Sequence, residues 1–187
     1  MDKLTLTSPK YLHQWLRLYR LYLSAFPAEE RKPFFTIVSM FRKKRMDVWC
    51  LEQDRHFLGF VTAIDDEGLV LIDYLAIEDR CRGKGIGTAA LQAIQKQYSR
   101  KQIFLEIESI YEQTPNLAQR QRRRAFYLRS GLKPMNVMIN LFGVKMELLG
   151  FDCHIDYDRY HRFYMKNLGR WAAGHVHSEA HPHQNTK

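Results

Sequence analysis

The chain is poor in several things. Its 187 residues include three cysteines, Cys50, Cys81 and Cys153, and an odd, unclustered set supports neither a disulfide framework nor a zinc cluster. No run approaches the roughly 18 apolar residues that a membrane-spanning helix needs, so no membrane role is expected. The opening, Met1-Asp2-Lys3-Leu4-Thr5, lacks the charged-then-apolar pattern of a secretory leader, and a reducing cytoplasm is the expected compartment. No internal repeat is visible. Acids are scarce: 20 Asp and Glu face 29 Lys and Arg, a net charge of +9. The excess lies in Arg42-Lys43-Lys44-Arg45 and in Arg120, Arg122, Arg123 and Arg124. It draws anionic partners at long range. A phosphate-rich cofactor satisfies that charge as well as nucleic acid does, and no nucleic-acid-binding module accompanies it.

Apolar residues at 45% and aromatics at 13% imply a filled interior rather than disorder, in one domain of residues 1–171. From Tyr11 to Phe26, Leu12, Trp15, Leu16, Tyr19, Tyr22, Leu23 and Phe26 recur at steps of three and four, the mark of one helical face. Ser8-Pro9 is the expected cap and first turn, and Pro27 the stop. Pro33 opens a second helix to about Lys43. Val48–Glu52, Phe57–Ile64 and Leu69–Ile77 read as strands separated by tight turns, an antiparallel meander. A glycine-rich segment, Arg82–Gly87, then leads into a helix through about Tyr98. Ile103–Glu108 is the next strand, and a helix follows from Thr114-Pro115 to Gly131. Val137–Phe142 and Lys145–Leu149 are a strand pair, and a last helix runs from about Tyr157 to Leu168. Tyr157, Tyr160, Phe163 and Tyr164 form its aromatic stripe, expected to pack against the domain or to make a homodimer contact. Residues 172–187 are polar and His-rich, with His175, His177, His181 and His183, and are expected to be a disordered tail that holds no metal. The fold class is therefore α+β: a mixed, mostly antiparallel sheet of about six or seven strands flanked by helices, with one crossover at the glycine segment.

Arg82-Gly83-Lys84-Gly85-Ile86-Gly87 stands between a strand and a helix. A helix start presents unpaired N–H groups and the positive end of its dipole. Glycines let a phosphate approach those groups without Cβ interference, and Arg80, Arg82 and Lys84 add charge. This is a cradle for a pyrophosphate. Three other readings stand beside it. A nucleoside triphosphate loop needs a Ser or Thr after the lysine and a Gly five residues before it, where Gly85 and Asp79 stand. A dinucleotide loop is matched by Gly85-Ile86-Gly87-Thr88-Ala89-Ala90 with Glu106 and Glu108 about 20 residues on, but that fold needs further βα units beyond Glu108. The third is a tight turn that binds nothing.

With these residues in view, the sequence resembles the GNAT superfamily of acetyl-CoA-dependent N-acetyltransferases. The family's R/Q-x-x-G-x-G/A motif is met by Arg82–Gly87 and, one frame earlier, by Arg80–Gly85. Tyr74-Leu75-Ala76-Ile77 resembles the cofactor-contacting strand. Arg124-Ala125-Phe126-Tyr127-Leu128-Arg129-Ser130-Gly131-Leu132 resembles the second signature, a tyrosine near a helix end followed by Gly and an apolar residue. Many relatives carry Asn or Ser about seven residues before that tyrosine; here the position is Arg120, with Asn116 earlier. The resemblance covers roughly residues 1–150.

It implies that the backbone of Arg82, Gly83, Lys84, Gly85, Ile86, Gly87 and Thr88 holds the pyrophosphate of acetyl-CoA. Leu75, Ala76 and Ile77 meet the pantetheine arm and acetyl carbonyl. Tyr127 gives a proton to the departing thiolate, a transfer made reasonable by a phenol pKa of about 10 against about 8.5 for a thiol. A thioester is already activated, so an amine attacks it directly once it has lost a proton. Candidate acids for that step are Glu30, in a Phe-Pro loop that resembles acceptor loops of some amine-acetylating relatives, and Glu106 and Glu108, two apart on one strand face. Asp73 is a further acid, mid-strand in an apolar run. The acids tilt the expected partner toward a small cationic amine. A sensor that binds acyl-CoA without turnover is the non-enzymatic alternative.

Overall fold

The structure is a computed structural model and describes residues 4–180. Its contacts divide into two compact units: Met1–Asp65 with Val70–Arg100, and Asp66–Leu69 with Lys101–Lys187.

In the first unit, strand β1 (Thr5–Thr7) pairs antiparallel with β2 (Asp47–Gln53), which pairs antiparallel with β3 (His56–Asp66). β4 (Leu69–Ile77) follows β3 in the sheet. The turns are tight because their residues accept left-handed backbone: Asp54 and Arg55 between β2 and β3, Glu67 and Gly68 between β3 and β4. Gly59 on β3 is required by close approach, since a Cβ there would stand 2.2 Å from the Ala76 carbonyl oxygen. Helix α1 (Leu12–Ala25) buries Leu18, Leu21 and Tyr22. Its start differs from the expected Ser8-Pro9 cap. The Gln14 side chain instead accepts from the backbone N–H groups of Lys10 and Tyr11 at 2.8 and 3.1 Å. Helix α2 (Phe34–Arg42) packs Phe34 and Phe41 against Trp15. Helix α3 (Ile86–Gln97) buries Ala90, Leu91 and Ile94, while Ile86 at its first turn is only half-buried.

In the second unit the strand order is β5 (Gln102–Glu108), β7 (Val144–Phe151), β6 (Lys133–Leu141), β8 (Val176–Glu179), every pair antiparallel. Helix α4 (Leu117–Arg129) starts two residues after Pro115, with Asn116 at its N-cap. Gly131, at φ 97°, stops it: the Leu132 N–H reaches back to the Tyr127 carbonyl at 3.1 Å and the Gly131 N–H to Leu128 at 3.0 Å. Helix α5 (Tyr157–Leu168) is capped by Asp156, whose carboxylate accepts from the Arg159 N–H at 2.7 Å. It buries Tyr160, Phe163 and Tyr164, so the aromatic stripe packs inward.

The expected disordered tail is corrected over its first part. Helix α6 (Arg170–Ala173) and β8 continue the fold, with β8 adding to β6 by Met138↔Glu179 through Leu141↔Val176. Val176 is buried and its carbonyl accepts from the Tyr157 hydroxyl at 3.0 Å. A short strand with one apolar residue carries almost no periodic pattern, and its polar composition reads as solvated. Residues 181–187, with His181 and His183, lie outside the described residues. Among the described residues the strands number eight; the short β1 and β8 are the ones that the sequence conceals.

Candidate active site

β4 ends at Ile77, and a short 3-10 turn over Asp79–Cys81 redirects the chain into the glycine segment. Gly83 and Gly85 have φ of 73° and 77°, and an added Cβ would meet nothing within 4 Å at either. Left-handed backbone opening onto free space is what glycine supplies at lowest cost. Gly85 is also the N-cap of α3, and the first helical bond closes from the Ala89 N–H to the Gly85 carbonyl at 3.0 Å. The first-turn amides of α3, from Ile86 to Thr88, therefore stand at the positive end of its dipole, directly after two exposed glycines. The open space at Gly83 and Gly85 leaves room for an anion to approach the first-turn amides of α3, so these residues are compatible with a pyrophosphate.

The expected cations behave differently from one another. Arg80 Nε lies 2.5 Å from Glu78, and Arg82 Nη1 3.0 Å from Asp79 with its Nε on the Ile77 carbonyl at 3.3 Å. These two arginines clamp the turn that leads into the loop. Lys84 is exposed between the two glycines.

Along β4, Asp73, Leu75 and Ile77 share one face and are partly exposed, while Tyr74 and Ala76 are buried on the other. Leu75 and Ile77 are thus accessible at the strand end nearest the loop. Tyr74 fixes the loop between α1 and α2. Its hydroxyl donates to the Glu30 carbonyl at 3.0 Å and accepts from the Lys32 N–H at 3.1 Å; the Tyr22 hydroxyl donates to the Lys32 carbonyl at 2.9 Å. Burial, then Tyr74 and the nearby Asp73 carboxylate, raises the Tyr22 pKa well above the ordinary phenol value. Phe26 and Tyr22 pack edge-on against Tyr74, with centroids at 4.8 and 5.0 Å. The structure therefore brings Glu30 to the side of β4 through its backbone, with its side chain exposed. Lys32 Nζ forms a salt bridge with Asp73 Oδ1. The sequence points to Asp73 by its place in an apolar run, but nothing in it marks Lys32 as its partner.

In the second unit, Glu106 and Glu108 are both engaged. Glu106 accepts from the Tyr160 hydroxyl at 2.6 Å and the Tyr164 hydroxyl at 3.1 Å. Glu108 meets Arg120 at 2.7 Å and Arg123 at 3.2 Å. Although two apart on β5, the two carboxylates serve different helices, α5 and α4. A further acid, the buried Glu147 on β7, accepts from Arg124 Nε and Nη2 at 2.7 and 3.0 Å, a fork geometry that favours Arg. Glu147, an acid inside the apolar run Lys145–Leu149, is a feature that the sequence offered and that motif reading passes over. Arg120, which stands where relatives carry Asn or Ser, also donates to the Asn116 side chain at 2.9 Å and to the Ser109 carbonyl at 3.1 Å. It ties down the loop ahead of α4.

Tyr127 sits two residues from the end of α4, its ring tilted 54° against that of Phe126 at a centroid distance of 5.0 Å. Burial raises its pKa above the ordinary phenol value, and Arg123 partly opposes this. Among the described residues no group of three or more His, Cys, Asp or Glu could hold a metal ion, and no helix is long and apolar enough to cross a membrane.

Comparison with known proteins agrees with this geometry. A family model described as "Acetyltransferase (GNAT) family" matches residues 15–131. No curated protein matches the chain. Among solved structures, a GNAT-family acetyltransferase assignment from Bacteroides thetaiotaomicron aligns with TM-score 0.71 at 18% identity, over 89% of this chain and 95% of that one. An aminoglycoside 6'-N-acetyltransferase complexed with coenzyme A aligns with TM-score 0.65 at 18% identity, over 79% and 94%. A Bacillus subtilis acetyltransferase in complex with CoA aligns with TM-score 0.57 at 17% identity, over 82% and 99%. The dinucleotide alternative falls here: its further βα units are absent among the described residues, and the strands before the loop form a meander. The α+β fold with a mixed sheet flanked by helices is the one these relatives share. The chain belongs to the GNAT family of acetyltransferases.

Proposed function

We propose that this chain is an N-acetyltransferase acting on a small cationic primary amine. The observation that carries the reading is the pair of open, left-handed glycines, Gly83 and Gly85, at the mouth of α3 and just after the partly exposed end of β4. In this reading the amides from Arg82 to Thr88 hold the pyrophosphate, and Leu75, Ala76 and Ile77 lie along the pantetheine arm. When bound, acetyl-CoA supplies an activated acyl group, so no covalent enzyme intermediate is needed.

The chain's own residues then have three tasks. A backbone N–H of β4 steadies the charge that develops on the acetyl oxygen. Tyr127 keeps its proton, because burial raises its pKa, and delivers it to the leaving sulfur. The exposed Glu30, held beside β4 by Tyr74, draws a cationic amine inward. Glu106 accepts hydrogen bonds from two tyrosine hydroxyls and Glu108 is ion-paired with two guanidinium groups, which favours a positioning role for them, holding α5 and α4, over proton abstraction. The aminoglycoside 6'-N-acetyltransferase and a spermidine N-acetyltransferase chimera among the similar structures lend support to a polyamine-like acceptor.

The test is a panel of amines (polyamines, aminoglycosides, arylalkylamines, amino acids and peptide N-termini) mixed with protein and acetyl-CoA while free thiol is followed. Thiol release with one class identifies the acceptor. Tight coenzyme A binding with silence across the panel would instead make the chain a sensor without turnover.

A further inference from the structure

Asp73 is an acid on a strand otherwise built of apolar and aromatic residues, and its side chain is 6% exposed. Its Oδ1 is salt-bridged to Lys32 Nζ, but its Oδ2 is buried with no hydrogen-bond partner. A buried carboxylate oxygen without a donor is disfavoured, and one retained in a fold calls for an explanation. The opposing ammonium is itself partly withdrawn from water: the Lys32 side chain is 29% exposed and lies 5.3 Å from the centroid of the Tyr74 ring. The backbone of Lys32 is pinned from both sides by Tyr22 and Tyr74, so the position of this primary amine is a property of the fold. Asp73 shares its face of β4 with Leu75, two residues on and hence roughly 6.6 Å away along the strand.

We infer that Lys32 is a resident acceptor: its Nζ receives an acetyl group from acetyl-CoA bound along β4, with Asp73 as the proton acceptor. The inference rests on the placement of the thioester along Leu75–Ile77 proposed above. Asp73 Oδ1, already salt-bridged to Nζ, takes one proton from the Lys32 ammonium. The freed Nζ lone pair attacks the thioester carbonyl carbon, the C–N bond forms and the C–S bond breaks. The second nitrogen proton is released as the amide forms, and coenzyme A departs as its thiolate and is protonated from solvent to the thiol. The product, Nε-acetyl-Lys32, no longer carries the cation that compensates Asp73. Once Asp73 has released that proton to solvent, its carboxylate is available to the ammonium of an external amine, so acetylation of Lys32 converts a self-paired acceptor subsite into an open one.

The experiment is peptide mass spectrometry on the full chain, with calorimetry of coenzyme A binding alongside. Two reagents are compared, acetyl-CoA and acetic anhydride. Acetic anhydride reads bare amine accessibility, so Lys32, half-buried and ion-paired, should react more slowly than the exposed Lys43, Lys96 and Lys133. With acetyl-CoA the order should invert, Lys32 leading those lysines by roughly tenfold or more, because positioning beside the thioester multiplies its effective concentration. Lys32→Arg should remove the modified peptide while keeping a cation on Asp73, and Asp73→Asn should return Lys32 to the background rate. The comparison within the parent protein needs neither variant to fold. Coenzyme A binding with Lys32 no faster than the exposed lysines would overturn this inference alone, whereas absence of coenzyme A binding would overturn it together with the reading beneath it.

Discussion

Arg120 Nη2 lies 2.7 Å from Glu108 Oε1, and each side chain is only 10% exposed. This pair joins the start of α4 to the end of β5, and Arg123 adds a second contact to the same carboxylate at 3.2 Å. Removing one member of a buried pair leaves the other charge uncompensated. Glu108→Ala should therefore cost about 3 kcal/mol of stability, and Glu108→Gln, which keeps an acceptor for Arg120, markedly less. Urea denaturation of the two variants checks this. A carboxylate whose work was proton abstraction would show the reverse pattern: stable variants and turnover lost equally in both.

Tyr127→Phe should lower turnover about 100-fold, within the usual range for a general acid, with little change in coenzyme A affinity. The sign of its pKa shift adds a second check. A raised pKa means that the donor form is retained to higher pH and is lost only above the ordinary phenol value of about 10. Turnover should therefore show no descending limb from Tyr127 between about pH 8 and 10. Unchanged turnover in the Phe variant would remove this tyrosine from the mechanism.

Thiol labelling separates the three cysteines. Burial, with Glu52 adding to it, pushes Cys50 up to about 12; burial pushes Cys153 up to about 11 against the opposing charge of Arg159. At pH 8 their reactive thiolates are then roughly one part in ten thousand and one in a thousand. Cys81, half-buried at the end of the turn before Gly83, should be alkylated first, and coenzyme A should slow it. The Cys153 rate should rise about tenfold per pH unit above 8, since each unit adds that factor of thiolate. Equal labelling of all three at pH 8 would contradict the packing described around Cys50 and Cys153.

Much of this was legible in the sequence because local rules and tertiary demands coincide there. The α1 helix, the meander turns and the Gly83–Gly87 loop each follow from residues adjacent in the chain, where periodicity and turn chemistry act, but the buried face of α1 does not match the expected stripe: Leu12, Leu16, Tyr19 and Leu23 are exposed, and Leu18, Leu21 and Tyr22 are buried. The terminal strands β1 and β8 were hidden because three or four residues carry no usable period. Partners of the acids were hidden for a different reason. Glu108 with the arginines of α4 could be weighed from sequence, since helix follows strand. Glu106 with Tyr160 and Tyr164, and Asp73 with Lys32, join residues more than 40 positions apart, a separation on which spacing is silent. An acid inside an apolar strand run was the visible trace in each case, at Asp73 and Glu147 as well as at Glu106. Such an acid announces that a buried partner exists without naming it.

The most direct test is calorimetric titration of coenzyme A into the protein and into Gly85→Ala. The parent should bind one molecule per chain. The variant should bind about tenfold more weakly, a loss of about 1.4 kcal/mol, because a Cβ at φ 77° both strains the α3 cap and enters the anion cradle. No heat of binding in the parent, or equal affinity in the two, would contradict the placement of the pyrophosphate at the mouth of α3.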